Sequence, residues 1–187
     1  MSVVLVACLA AGGCSRSDND TPSVLPSLTV PSHTSAPTPS TSTSTSAVPV
    51  IVPSPARPAT PQGAAAFTRF FLGEVNDALA HADSRRLKSI SEANCDTCRS
   101  YEKAADDLRD KNQLIEPTYS IVLSAEAPPE NNGYVLVDVV ETQPKRNKVD
   151  LRGRIISSFV SVPRLRITVV LHRVAGRRLV RGVQDSK

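Results

Sequence analysis

The segment that decides the fold is YVLVDVV, residues 134–140. Its alternating positions are largely apolar on both faces, which is typical of a central β-strand. Turn-forming residues come directly before it: Pro128, Pro129, Asn131, Asn132 and Gly133. We therefore predict a strand over 134–143 that is entered through a turn.

Further strands are predicted on both sides of this segment. Apolar and polar residues alternate over 119–124 and over 165–172, and Ala175 with Gly176 turns the chain into a last strand over 179–184. The stretch 149–162 fits either one strand or a small hairpin turning near Gly153. In both cases Pro163 is expected to end it.

Helical spacing dominates the chain before residue 113. Thr60 followed by Pro61 is a helix start, and apolar residues then recur every three or four positions as far as His81. A second short helix is expected over 84–89, capped by Asp83. A third begins at Cys95 and frays by Asn112. Three helices followed by about four antiparallel strands indicate an α+β domain with the helices on one concave face of a curved sheet.

Several short motifs resemble a known family. They are the opening residues Thr60, Pro61, Gly63, Ala64 and Phe67, the pair Cys95 and Cys98 before a helix, and the closing segment 176–180. Together with the order of elements they resemble a domain family of unknown function found in actinobacterial lipoproteins. That family is related to the nuclear-transport-factor-2-like (NTF2-like) fold.

The resemblance implies a cone-shaped fold over about Thr60 to Gln184, and it brings no catalytic residues. Members commonly have a Trp in the closing motif, where this chain has Arg178.

The N-terminus indicates export. An apolar stretch ending in Leu9, Ala10, Ala11, Gly12, Gly13 and Cys14 has the pattern of a secretory signal with a lipobox. Acyl chains on Cys14 would hold the protein at the outer face of the cell membrane. Residues 15–60 contain 19 Ser or Thr and 9 Pro, which predicts a disordered tether. The predicted organisation is a signal over 1–14, a tether over 15–60 and one domain over 61–187.

Cysteine usage agrees with an oxidising exterior. If Cys8 leaves with the signal and Cys14 is lipidated, only Cys95 and Cys98 remain. They are interpreted as a structural disulfide at the start of the third helix. Two alternatives stay open, a redox pair at a helix N-terminus and half of a metal site, although no histidine shows ligand spacing.

Charge is distributed unevenly along the domain. Residues 144–187 carry 12 basic side chains against two aspartates, whereas residues 60–130 carry 12 acidic against 8 basic. Arg164, Arg166 and Arg178 are the candidates for contact with an anionic partner, and the first two share a side of their strand with His172. Lipid headgroups, anionic wall polymers or an acidic protein fit this charge and compartment; nucleic acid does not fit the compartment.

Candidate cavity residues are Asp138, Tyr101, Tyr119 and Tyr134, with His81 as a further ionisable group. A buried Asp138 could act as a general base. The sequence shows no Ser-His-Asp arrangement, phosphate-binding loop, zinc motif or cofactor motif. Three functions are compatible with it: a non-catalytic binding lipoprotein with a basic sheet face, a small-ligand or enzymatic cone, and an exported dithiol protein.

Overall fold

The computed structural model describes residue 48, residues 50–116 and residues 118–186. Within these residues, no helix is both long enough and apolar enough to cross a membrane. The predicted signal, the lipidation site Cys14 and the tether as far as residue 47 lie outside the described residues and stay predictions.

Three helices precede the sheets, as the sequence predicts. They are α1 (Pro61–His81), α2 (Arg85–Ile90) and α3 (Asp96–Asp110). The Thr60 hydroxyl oxygen accepts a hydrogen bond from the Gly63 amide and caps α1. Asp83 does the same for the Arg85 amide at the start of α2. Local capping chemistry therefore sets both helix starts.

The antiparallel part is larger than predicted, because seven strands form two sheets where about four strands were expected. One sheet has the order β2-β3-β6-β7 and the other β1-β4-β5. Every pairing is antiparallel. The strands are β1 (Gln113–Glu116), β2 (Ile121–Glu126), β3 (Tyr134–Gln143), β4 (Arg146–Asp150), β5 (Ile155–Phe159), β6 (Val162–Val174) and β7 (Arg177–Asp185).

A long bent hairpin connects the two sheets. β3 runs into β4 past Pro144, and β5 runs into β6, so the same two stretches of chain pair first in one sheet and then in the other. The turn at its tip includes Gly153, which has a φ of +75°. The hairpin interpretation of 149–162 is thus correct. Pro163 does not end a strand but lies second in β6.

The core lies between the helices and the inner face of the larger sheet. Val135, Val137 and Val139 of β3 are at most 3% exposed, while Leu136 on the opposite face is 54% exposed. From α1, Phe67 and Phe71 are buried in the same core cluster. β3 is therefore central by its pairing with β2 and β6, but only one of its faces is covered.

Residues 50–60, the last part of the predicted tether, pack on the domain. They include a short 3-10 helix over Ser54–Ala56, and Ala56 is 2% exposed. The Arg178 guanidinium donates to the backbone oxygens of Ala56 and Pro58, at 3.1 Å each. The packing on the domain consequently includes residues before Thr60.

Candidate functional site: a cavity beside the β4–β5 hairpin

A cavity of about 270 Å³ opens between α3 and the smaller sheet. Five segments that are distant in sequence form its wall, namely the end of α1, α3, β1, the chain before β2 and the β4–β5 hairpin. The principal lining residues are Leu79, Tyr101, Leu108, Ile115, Tyr119, Arg146, Lys148 and Phe159. The site thus combines an apolar and aromatic wall with three cationic side chains, Lys111, Arg146 and Lys148, and one carboxylate, Asp107.

Arg146 is held between two aromatic rings. Its guanidinium carbon lies 4.6 Å from the centre of the Tyr119 ring and 5.0 Å from that of Phe159. Cation–π attraction favours this arrangement because both ring faces carry negative potential. These contacts hold the guanidinium in the cavity wall.

One nitrogen of that guanidinium lacks a partner. Among the described residues, Nη1 of Arg146 is buried and makes no hydrogen bond. A buried donor without an acceptor costs roughly 1–3 kcal/mol, and more when the group is charged.

The two tyrosines of the cavity touch each other. The rings of Tyr101 and Tyr119 meet edge to face with centroids 6.1 Å apart. Burial raises the pKa of both phenols, and for Tyr119 the nearby Arg146 charge opposes that rise. Both tyrosines therefore stay protonated at neutral pH.

A side chain of α1 holds the segment that carries Tyr119. Nδ2 of Asn76 donates to the Ser120 carbonyl at 2.8 Å, and its Oδ1 accepts from the Ser120 amide at 2.9 Å. This pair of bonds ties residue 120 to the helix although the two positions are 44 residues apart. Helix α1 therefore helps to position the Tyr119 ring, and through that ring the Arg146 guanidinium.

Glu141 is a buried carboxyl that the sequence analysis missed. It is 3% exposed on the inner face of β3 and accepts a hydrogen bond from Nε2 of Gln143 at 3.2 Å. Burial raises its pKa, while the Gln143 bond and the Arg146 charge oppose the rise. Strand alternation could have found it, since residue 141 shares parity with the buried Val135, Val137 and Val139.

Two of the four predicted cavity residues lie in this cavity and two do not. Tyr101 and Tyr119 line it, whereas Asp138 and Tyr134 lie on the outer face of the larger sheet. Asp138 is exposed and accepts a hydrogen bond from Oγ1 of Thr168 at 3.0 Å. A buried base at Asp138 was therefore the wrong expectation, because even-numbered positions of β3 face outward.

The remaining predicted ionisable groups also lie away from the cavity. Tyr134 stacks on the His172 ring with centroids 4.3 Å apart. His81 is exposed at the end of α1, and its Nδ1 lies 2.9 Å from the Asp77 carbonyl oxygen. Neither group contacts the Tyr101 and Tyr119 pair.

The three arginines proposed as a basic sheet face do not form one surface. Arg164 and Arg166 are exposed on the outer face, as alternation predicts, and Glu126 and Asp138 line the same groove. Arg178 is only 7% exposed and lies on the inner side, where its bonds to backbone oxygens use its donors. Including Arg178 in an exposed face was wrong, because β7 continues the inward alternation through Arg178 and Val180.

Cys95 and Cys98 form a disulfide at the start of α3. Sγ of Cys95 also accepts a hydrogen bond from the Cys98 amide, and both residues are at most 1% exposed. The accessible sulfurs that a thiol-exchange site needs are not presented by this arrangement.

Comparison with known proteins adds structural neighbours but no family. No family model matches the chain, and no curated protein sequence is significantly similar to it. Among solved structures, the intermembrane space region of chloroplast protein ARC6 is similar at 9% identity and a TM-score of 0.45, covering 65% of this chain and 97% of that one.

Two further structures are similar at the same level. Aln2 from a Streptomyces species has 11% identity and a TM-score of 0.41, with 64% of this chain and 89% of that chain covered. A variant of Rd1NTF2_05 has 14% identity and a TM-score of 0.35, with 64% of this chain and 96% of that chain covered.

Proposed function

We propose that the protein is a non-catalytic binding protein of the cell envelope, whose cavity takes a small amphipathic ligand with an anionic end. Arg146 binds the anionic end, and the aromatic and aliphatic wall receives the apolar body. The proposal shifts the binding site from the outer sheet face to the cavity, because Arg178 is buried and acidic residues accompany Arg164 and Arg166.

The observation that carries this proposal is the position of Arg146, whose guanidinium lies in the cavity wall beside the Tyr119 and Phe159 rings. A stacked guanidinium is preorganised for a carboxylate or phosphate, since its donors are already fixed in one plane. Lys111 and Lys148 line the same cavity, and Asp107 is the one carboxylate in its lining, so the wall carries a net positive charge. We therefore expect an anionic ligand.

The shape of the cavity limits the rest of the ligand. A volume of about 270 Å³ lies near the lower end of the range typical of small-molecule sites. Phe159, Ile115 and Leu108 supply apolar contact, so a short alkyl or compact ring system fits better than a polar sugar.

The sequence supports the cell-envelope location that we propose. The lipobox pattern ending at Cys14 and the Ser, Thr and Pro-rich stretch after it favour a domain tethered to the outer face of the membrane. The order of three helices and antiparallel strands is compatible with an NTF2-like cone, which is the finer fold assignment we propose.

Calorimetric titration of the full chain tests the site. The chain carries Cys14→Ala so that no acyl group competes, and the probes are octyl phosphate and octanol below their aggregation concentrations. We expect saturable binding of octyl phosphate at one site and at least tenfold weaker binding of octanol. Arg146→Gln should weaken octyl phosphate binding roughly tenfold to hundredfold, the value of a hydrogen bond to a charged group.

Arg164→Gln is the matched control, because it removes the same charge from the outer face. It should leave octyl phosphate affinity within a factor of two. Equal weakening by both variants would contradict the cavity assignment, as would binding of octanol as tight as that of octyl phosphate.

A further inference from the structure

The β4–β5 hairpin carries exposed apolar side chains, of which only Phe159 also lines the cavity. All ten residues from 151 to 160 are exposed. Leu151 is 66% exposed, Ile155 62%, Ile156 50%, Phe159 36% and Val160 83%. These five account for half of the exposed large apolar side chains in the described residues, and they lie on one short stretch of chain.

The hairpin also has an unpaired edge. β5 is the last strand in the order β1-β4-β5, so one side of its backbone has no neighbouring strand among the described residues. Exposed apolar edge strands are usually shortened, charged or covered, because they associate with other surfaces. Several exposed apolar side chains on one edge strand and the turn before it indicate a surface that meets a partner.

Positive charge surrounds the apolar residues. Residues 145–160 contain the cavity residues Arg146 and Lys148, three further cationic side chains, Lys145, Arg152 and Arg154, and one carboxylate, Asp150. That carboxylate binds residues at the tip of the same hairpin. It accepts hydrogen bonds from the amides of Arg152 and Arg154, at 2.9 Å each, and from Nε of Arg154 at 2.7 Å.

The tip is therefore built as a fixed loop. Besides the Asp150 bonds, the Gly153 amide donates to the Asp150 carbonyl at 2.9 Å. Leu151 and Arg152 stand at its end, one apolar and one cationic. A partner would meet this surface without first having to order it.

We propose that this hairpin docks on an anionic lipid bilayer, with its apolar side chains in the headgroup region and its cations against lipid phosphates. Surfaces that combine apolar and basic side chains bind such membranes in two ways at once. Their apolar groups are buried in the headgroup region, and their cations are attracted to the anionic lipids. A second copy fits less well, because a two-fold pairing of β5 edges would bring two sets of the same cations together.

Vesicle co-sedimentation of the full chain carrying Cys14→Ala tests this proposal without any contribution from an acyl anchor. The vesicles contain phosphatidylglycerol and phosphatidylcholine in equal amounts, or phosphatidylcholine alone. We expect binding to the anionic vesicles, at least tenfold weaker binding to the neutral ones, and weakening as salt is raised. Absence of binding to anionic vesicles at low salt would overturn the proposal.

Two matched pairs of variants locate the contact. Leu151→Ser, Ile155→Ser and Val160→Ser combined should reduce vesicle binding at least tenfold. The combination of Ile121→Ser, Leu123→Ser and Leu136→Ser removes apolar side chains of similar exposure from the other sheet and should leave binding unchanged. Equal losses in both would overturn the assignment to the hairpin.

A second pair of variants removes charges and no apolar side chains, so the proposal can still be tested if a triple variant fails to fold. Lys145→Gln with Arg152→Gln should weaken binding about fivefold for each cation removed. Arg164→Gln with Arg166→Gln should not weaken it. Sedimentation equilibrium of the same chain should show a monomer; a dimer that the hairpin variants dissociate would mean that a second copy covers the surface, and would overturn the proposal.

Discussion

At the scale of single residues, Arg178 joins the chain before α1 to the last strand. Its guanidinium bonds the backbone oxygens of Ala56 and Pro58 and lies 6.0 Å from the centre of the Phe67 ring. Burial lowers its pKa, because a charge is less well solvated there. The sequence analysis placed Arg178 on an exposed basic face because of the basic composition after residue 144, and the structure buries it.

Arg178→Ala should lower the free energy of unfolding by about 2–4 kcal/mol, because it removes two charge-assisted hydrogen bonds and leaves their acceptors without a donor. Denaturant unfolding measures the change. Arg166→Ala, at an exposed position of β6, should change stability by no more than about 0.5 kcal/mol. An equally small effect for Arg178→Ala would show that residues 50–60 are not held by this side chain.

Glu141 makes the stability of the protein depend on pH. Its folded-state pKa is raised by burial, so the carboxyl costs no stability below its unfolded pKa near 4.5 and costs increasingly more as pH rises through the folded value. Glu141→Gln keeps an oxygen that can accept from Gln143 and removes the charge. Its stability relative to the natural chain should therefore increase from about pH 4 to about pH 8.

Thermal unfolding of both chains across that pH range measures the difference. Glu126→Gln, at an exposed position of β2, is the control and should show little change with pH. A Glu141→Gln variant less stable than the natural chain at the upper end of the range would mean that the carboxylate is stabilised by a positive group, against this account.

At the scale of elements, α1 packs on the preceding segment through a glycine. A Cβ built on Gly63 would lie 2.2 Å from the backbone oxygen of Pro58, which leaves no room for a side chain. Gly73, in the same helix, has nothing within 4 Å of that position. Alanine substitutions at the two positions therefore distinguish the effect of packing on stability from the effect of helix propensity.

Gly73→Ala should stabilise the protein by about 0.5–1 kcal/mol, since alanine is the better helix former. Gly63→Ala should instead destabilise it by about 1–3 kcal/mol, because the Pro58 backbone has to move. Urea unfolding of the two variants provides the comparison. Stabilisation by both would show that residues 50–60 do not pack on α1 as described.

The elements themselves were predictable to different degrees. Helices α1 to α3 follow from caps and from three- and four-residue spacing, which are local signals. β1 was missed because it is only four residues long and exists through its pairing with β4. The hairpin tip stayed ambiguous because residues 151–160 are exposed and show no alternation between core and solvent.

At the scale of the whole molecule, the cavity brings together residues that no local pattern connects. Tyr101 comes from α3, Tyr119 from the chain before β2, Arg146 from β4 and Phe159 from β5. The sequence predicted the two tyrosines as candidates but could not predict Arg146, since its stack depends on the bend between β3 and β4. The excess of basic residues after residue 144 was visible, but its division between hairpin, outer face and core was not.

NMR of the arginine side chains tests the central claim most directly, because it identifies which guanidinium meets an anionic ligand. The full chain with Cys14→Ala is titrated with octyl phosphate below its aggregation concentration. The account predicts a saturable shift of the Arg146 Nε–H signal, accompanied by shifts of the Tyr101 and Tyr119 ring protons. Shifts confined to Arg164 and Arg166, or shifts that do not saturate, would contradict it.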